Sequence, residues 1–203
     1  MQYGWKRLPL QRSHTYLSSS LSKILAGRSL GALADLGCGN GELTAKLSKH
    51  VESVVGFEPD DEGYELAMSL APQISVKKCS VSEIPAIENM ANQFDCVISA
   101  EVIEHLYEPA TLCKAAAHLL KPNGLLILTT PYHGYFKNLA LSLFNGWDRH
   151  WDPLWDGGHI KFWSSQTITR LLAKNGFEVI DISGSGRFWP FWCSMIVQAR
   201  KGQ

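Results

Sequence analysis

The run Ala34-Asp35-Leu36-Gly37-Cys38-Gly39-Asn40-Gly41-Glu42-Leu43 constrains this chain more than any other stretch. An apolar segment ends at Asp35, three glycines alternate with other residues, and a helical pattern follows. Glycine tolerates positive φ and lets a ligand come close to the backbone. The helix behind it starts with unpaired N–H groups. The run therefore reads as a strand, a ligand-cradling turn and a helix. Its spacing departs from the dinucleotide fingerprint G-x-G-x-x-G. After Gly37 and Gly39 the third glycine is Gly41, and Glu42 stands where the fingerprint needs glycine.

The same alternation continues along the chain. Strands are predicted at 31–36, 53–58, 74–77, 94–99 and 125–130, with helices between them. Asp60 and Asp61 suit the positive end of a helix whose buried face is Tyr64, Ala67 and Leu70 or Ala71. Pro109 suits the first turn of another, with Leu112, Ala115, Ala116, Leu119 and Leu120 as its apolar face. Lys121 to Gly124 should stop it. The fifth strand is continuously apolar, so both its faces should be covered. Ser164 or Ser165 caps a last helix that ends at Asn175-Gly176. Residues 177–182 and 191–199 read as two final strands, antiparallel because the connection 184–190 is short. The pattern is α/β, a doubly wound, mostly parallel sheet.

With 203 residues, 45% of them hydrophobic and 19% charged, the chain has material for one core. A single domain over 1–203 is expected, with 1–30 as an N-terminal helical cap. Zero formal net charge gives no field to attract nucleic acid. Cys38, Cys79, Cys96, Cys113 and Cys193 are scattered and odd in number, without a disulfide or zinc pattern. A polar N-terminus without a signal peptide, and no apolar run of membrane-spanning length, lead us to expect a cytoplasmic protein.

Glu58 stands at the end of the second strand, where a carboxylate accepts hydrogen bonds from both hydroxyls of a ribose. The Asp-x-Gly-x-Gly-x-Gly form resembles motif I of class I S-adenosylmethionine-dependent methyltransferases. Glu101-Val102-Ile103-Glu104-His105-Leu106 resembles the motif after strand four in the branch that includes the ubiquinone-biosynthesis O-methyltransferases. The resemblance covers nearly the whole chain in order and implies a Rossmann-like, seven-stranded sheet with an antiparallel C-terminal strand. It implies that Asp35, Gly37, Cys38, Gly39, Asn40 and Gly41 wrap the amino-acid end of S-adenosyl-L-methionine. Glu58, followed by Pro59, would take the ribose, Ser80 and Val81 the adenine, and Ala100 and Glu101 the methionine end. Ser80 is a departure, because the family commonly has Asp there.

The Thr129-Thr130-Pro131-Tyr132-His133-Gly134-Tyr135 run ends the fifth strand, where open α/β sheets bind ligands. The connection 131–163 is long for this fold and rich in aromatic residues, which marks a substrate lid. Plain core packing under a long loop is the competing reading. Within it, 135–147 reads as an interfacial helix with Leu139, Leu143, Phe144 and Trp147 suited to a membrane surface or a lipid-linked substrate. Gly157-Gly158-His159-Ile160-Lys161-Phe162-Trp163-Ser164 closes the lid and resembles the Gly-His-Ile-Lys-Phe-aromatic-Ser run of the same branch. His133, His150 and His159 show no metal-ligand spacing such as H-E-x-x-H, so no metal is expected.

The expected reaction is methyl transfer to a small-molecule acceptor, a hydroxyl oxygen of a quinone or other lipid, a glycan or a natural-product phenol. His105 or His133 would be the base. For His105 the competing role is to hold a loop by a backbone hydrogen bond. Two alternatives stay open: an NAD-dependent oxidoreductase, and a non-catalytic subunit that binds the cofactor.

Overall fold

The computed structural model describes residues 12–202. Within them the helical cap is α1 (Arg12–Ala26), and residues 1–11 of that cap lie outside the described residues. Then follow β1 (Ala32–Leu36), α2 (Glu42–Leu47), β2 (Ser53–Phe57), α3 (Asp61–Leu70), β3 (Ser75–Lys77), β4 (Phe94–Ala100) and α4 (Ala110–Leu119). β5 (Leu120–Pro131), α5 (Tyr135–Leu143), α6 (Trp147–His150), α7 (Ser165–Lys174), β6 (Phe177–Ser185) and β7 (Ser194–Lys201) complete the chain.

The strands form one seven-stranded sheet in the order β3-β2-β1-β4-β5-β7-β6. β1 pairs in parallel with β2 and β4, and β4 with β5. β7 runs antiparallel to both β5 and β6, as the short final connection predicts. Strand residues alternate between two faces, so each strand feeds two cores. Ala34, Val97 and Leu126 pack with Leu112, Leu119, Ile168 and Leu172 of α4 and α7. Leu33, Cys96 and Ile127 pack with Leu17, Leu21, Leu43 and Leu47 of α1 and α2. Burial on both faces explains why β5 is apolar without alternation.

Local chemistry sets the helix ends. Asp60 caps α3 by accepting the Gly63 N–H at 3.0 Å. Ser164, not Ser165, caps α7, in a capping box with Thr167. Three expectations shift in detail. α3 buries Ala67, and Ala71 just beyond its end is buried too, but Tyr64 is only half-buried and Leu70 is exposed. α4 stops at Leu119, so Leu120 begins β5 opposite Phe94, and Lys121 to Gly124 turn within that strand, with Asn123 at φ 61°. The last strand starts at Ser194, because Phe191 to Cys193 still belong to the connection.

The ends of β1, β2, β4 and β5 lie on one edge of the sheet. β7 begins there, since Ser194 pairs with Pro131. The 131–163 excursion leaves and returns at one point: Tyr132 bridges Trp163, and the His133 N–H donates to the Trp163 carbonyl at 3.4 Å.

Candidate functional site

Order reverses between β1 and β4, the point where open α/β sheets bind ligands. The loop from β1 to α2 sits there. Gly37, Gly39 and Gly41 have φ of 79°, 55° and 76°, a region that side chains rarely adopt. A Cβ on Gly37 would stand 2.5 Å from Val102 Cγ2. Glycine is thus required twice over at Gly37, by φ and by space.

Asp35 is buried below the loop. The Thr44 hydroxyl donates to its Oδ2 at 2.5 Å, while Oδ1 has no hydrogen-bond partner among the described residues. Burial pushes its pKa up to about 6. The Glu58 carboxylate turns back onto the loop, where Oε2 accepts the Gly39 N–H at 2.8 Å and Oε1 the Asp60 N–H at 2.9 Å. Each oxygen keeps a second lone pair for a hydroxyl donor. Burial raises the Glu58 pKa against these two hydrogen bonds. Backbone bonds from Glu58 N–H to Lys77 O and from Cys79 N–H to Glu58 O hold the Ser80–Val81 segment beside it. The Ser80 hydroxyl pairs with Ser82, and its N–H donates to Glu83. Pro59 is exposed next to Glu58.

Glu101 follows β4 at φ 56°. As a carboxylate it accepts from Thr129 Oγ1 at 2.8 Å and from Ser194 Oγ at 3.2 Å. Ser194 has one proton and spends it on Glu101, so the Tyr16 hydroxyl, 3.1 Å away, donates to Ser194. Burial pushes Glu101 up to about 7 and Tyr16 up to about 12.

Beyond Glu101 opens a cavity of about 630 Å³, within the range of small-molecule sites. Glu101, His105 and Pro131 from the sheet edge, Lys137 and Phe144 from the lid, and Trp192 before β7 are on its wall. His105 Nδ1 lies 2.7 Å from the Gly157 carbonyl, and its ring meets Trp155 and His159 edge-on. Burial lowers its pKa, which keeps the imidazole neutral and basic near neutral pH. Both proposed roles of His105 are therefore open to it at once: it ties the lid and it faces the cavity.

Glu104 is fully buried, with Oε2 accepting from the Thr130 hydroxyl at 3.1 Å. Its carbonyl takes the N–H groups of Ile160 and Lys161. Glu104 and His105 thus pin the Gly-His-Ile-Lys run, and the two motifs meet. His159 Nε2 is 3.9 Å from Glu104 Oε1. Burial drives both toward neutral forms, with His159 down at about 4 and Glu104 well above the carboxylate range, so they are not an ion pair. Ligand atoms of Glu104, His105 and His159 all lie within 4.8 Å of one another, a carboxylate and two imidazoles with the capacity for a metal ion. Chain spacing hid this cluster, because His159 arrives from the far end of the lid.

The structure gathers Asp35, the glycine loop, Glu58, Ala100, Glu101 and His105 along one edge. His133 is placed differently. It is 8% exposed and packs on Phe162 and His150, and the cavity wall takes His150 in its place. Burial lowers its pKa to about 4. Tyr16, Lys137, Arg187 and Ser194 are cavity residues that the sequence reading missed. Lys137 had a signal, as the only charge in the helix Tyr135–Leu143.

A doubly wound sheet with an antiparallel β7, a Gly-rich loop over β1 and an acid after β2 defines a class of Rossmann-like nucleoside-binding domains. The chain belongs to the methyltransferase-domain family, whose model matches residues 10–182. It is 31% identical to the mitochondrial ubiquinone biosynthesis O-methyltransferase of Homo sapiens over 159 residues, 75% of this chain and 42% of that one. It is 28% identical to the ubiquinone biosynthesis O-methyltransferase of Cereibacter sphaeroides, over 75% of this chain and 62% of that one. This chain thus spans only about half the length of the mammalian relatives it matches. In fold it is similar to the Burkholderia thailandensis 1,6-didemethyltoxoflavin-N1-methyltransferase, solved with 1,6-didemethyltoxoflavin and S-adenosylhomocysteine. The TM-score is 0.68 at 17% identity, covering 95% of this chain and 80% of that one.

Proposed function

We propose that this chain transfers the methyl group of S-adenosylmethionine to a hydroxyl oxygen of a small-molecule acceptor. One observation carries the reading. The Gly39 N–H to Glu58 bond sets loop and acid together at the switch point, and the acceptor-sized cavity opens at Glu101, after the neighbouring strand.

The residues suit the cofactor. Glu58 keeps lone pairs for ribose hydroxyls, Asp35 keeps a buried oxygen without a partner among the described residues, and a Cβ on Gly37 would meet Val102. S-adenosylmethionine, when bound, supplies an electrophilic sulfonium methyl group. What the protein adds is alignment and exclusion of water. The lid, held by Glu104 and His105, walls off the acceptor. His105, on the cavity wall and kept neutral by burial, is the base that takes the hydroxyl proton. His133, off the cavity wall, supports the lid from behind.

The acceptor is a lipid such as a quinone, a glycan or a natural-product phenol, and the aromatic wall favours a ring or hydrocarbon chain. Phe144 lines the cavity and is 82% exposed; with Leu139 and Leu143 it suits contact with a membrane surface where a lipid-linked acceptor would enter. No helix among the described residues is long and apolar enough to cross a membrane. We place the chain in the cytoplasm. Transfer of a labelled methyl group from S-adenosylmethionine to phenolic, quinol and sugar acceptors tests the reading. Wild-type transfer that disappears in Glu58→Ala supports it; transfer that ignores this substitution contradicts it.

A further inference from the structure

Lys137, on the first turn of α5, and Arg187, between β6 and β7, line the same cavity, and neither lies within ion-pair distance of a carboxylate among the described residues. The Lys137 ammonium has only the Trp192 carbonyl, at 3.4 Å, and Arg187 makes no hydrogen bond among the described residues. Lys137 is largely removed from water; burial lowers its pKa, the Arg187 charge lowers it further, and Cys193 and Glu101 act the other way without cancelling the shift. Burial, and after it the same two charges, lower the pKa of His150, which shares the wall. Among the described residues the wall has one acid, Glu101, which accepts from Thr129 and Ser194 and offsets part of the charge of Lys137, so the two cations are left in excess. Two like charges facing one partly dry space repel each other until an anion enters between them. A sulfonium at the neighbouring cofactor site would add a further positive charge. Phe144, Phe191 and Trp192 complete an apolar wall around the cations.

We propose that Lys137 and Arg187 bind an anionic group, a carboxylate or a phosphate, carried by the methyl acceptor, with the acceptor's apolar body against Phe144, Phe191 and Trp192. This inference rests on the methyltransferase reading and narrows its substrate class. Guanidinium is fitted to grip planar oxyanions in bidentate fashion, and the ammonium adds a point charge. The acceptor is then amphipathic, with its anion toward the lid cations and its hydroxyl toward His105.

Calorimetry on protein loaded with S-adenosylhomocysteine tests it, with 3-hydroxybenzoate, 3-hydroxybenzamide and 3-hydroxyphenyl phosphate as probes. At least one anion should bind about tenfold or more tighter than the amide, and which one does separates carboxylate from phosphate. The preference should shrink as salt is raised and fall toward unity in Lys137→Gln and Arg187→Gln, while the S-adenosylhomocysteine affinity, which reports folding, is retained. Anions that bind no better than the amide, whether all bind or none, overturn the proposal. So does a preference that survives both substitutions. If the variants lose S-adenosylhomocysteine instead, the cations hold the cofactor's own carboxylate and the proposal is wrong. Failure of the wild type to bind S-adenosylhomocysteine would count against the methyltransferase reading alone, and the anion preference is then read on the unloaded protein.

Discussion

His105 Nδ1 stands 2.7 Å from the carbonyl oxygen of Gly157, so the side chain that faces the cavity also fastens the lid over it. The two roles separate by substitution. His105→Asn can keep a donor toward Gly157 but has no base. We expect kcat to fall about 10²- to 10⁴-fold with KM little changed, the size of a lost general base. His105→Ala should raise KM as well, since the lid loses its tie. Full kcat in the Asn variant would assign His105 to the lid alone.

Gly37 and Val102 make a second coupled pair. Gly37→Ala places a Cβ 2.5 Å from Val102 Cγ2 and holds it at φ 79°. A loss of more than about 2 kcal/mol in denaturant unfolding is expected, with weaker S-adenosylhomocysteine binding. Adding Val102→Ala should restore only part, because it relieves the clash and leaves the φ strain. Full restoration would show that φ at Gly37 is unstrained.

These two pairs also mark what was legible in the sequence. Gly37 and Glu58 announce themselves through a local motif and its distance to the next strand end, and the succession of strands and helices along the chain follows from local alternation. The partners that finish the site come from far along the chain. Tyr16 reaches Ser194 across 178 positions, and His159 reaches Glu104 only after the lid has folded back. No periodicity encodes such meetings. The position of His133 off the cavity wall has the same origin. Its place after β5 suggests the site, but the Tyr132–Trp163 bridge turns its ring into the root of the lid.

His133 makes that placement measurable through pH. Burial holds its folded pKa at about 4, below the ordinary 6.5. The unfolded chain therefore binds the extra proton first, and stability present above pH 6.5 is lost as pH falls toward 4. The ceiling is about 3 kcal/mol. Thermal melts of wild type and His133→Gln across that window should converge as pH drops, the variant having the flatter profile. Parallel profiles would show that His133 is solvated.

The exposed face of α5 predicts membrane binding. Co-sedimentation with phospholipid vesicles should be seen for wild type and fall about tenfold or more in the Leu143→Ser, Phe144→Ser double variant, whose two large side chains would otherwise be buried in the interface. Equal sedimentation of both proteins would remove the membrane role of 135–147.

The most direct measurement compares S-adenosylhomocysteine and NAD as ligands of wild type and Glu58→Ala. In wild type the first should raise Tm by several degrees, since a ligand at about 100 times its Kd adds about 2.7 kcal/mol. NAD should leave Tm unchanged, and Glu58→Ala should lose most of the S-adenosylhomocysteine shift. A shift with NAD alone, or an S-adenosylhomocysteine shift indifferent to Glu58, would contradict the assignment of the loop and its acid to a methyl donor.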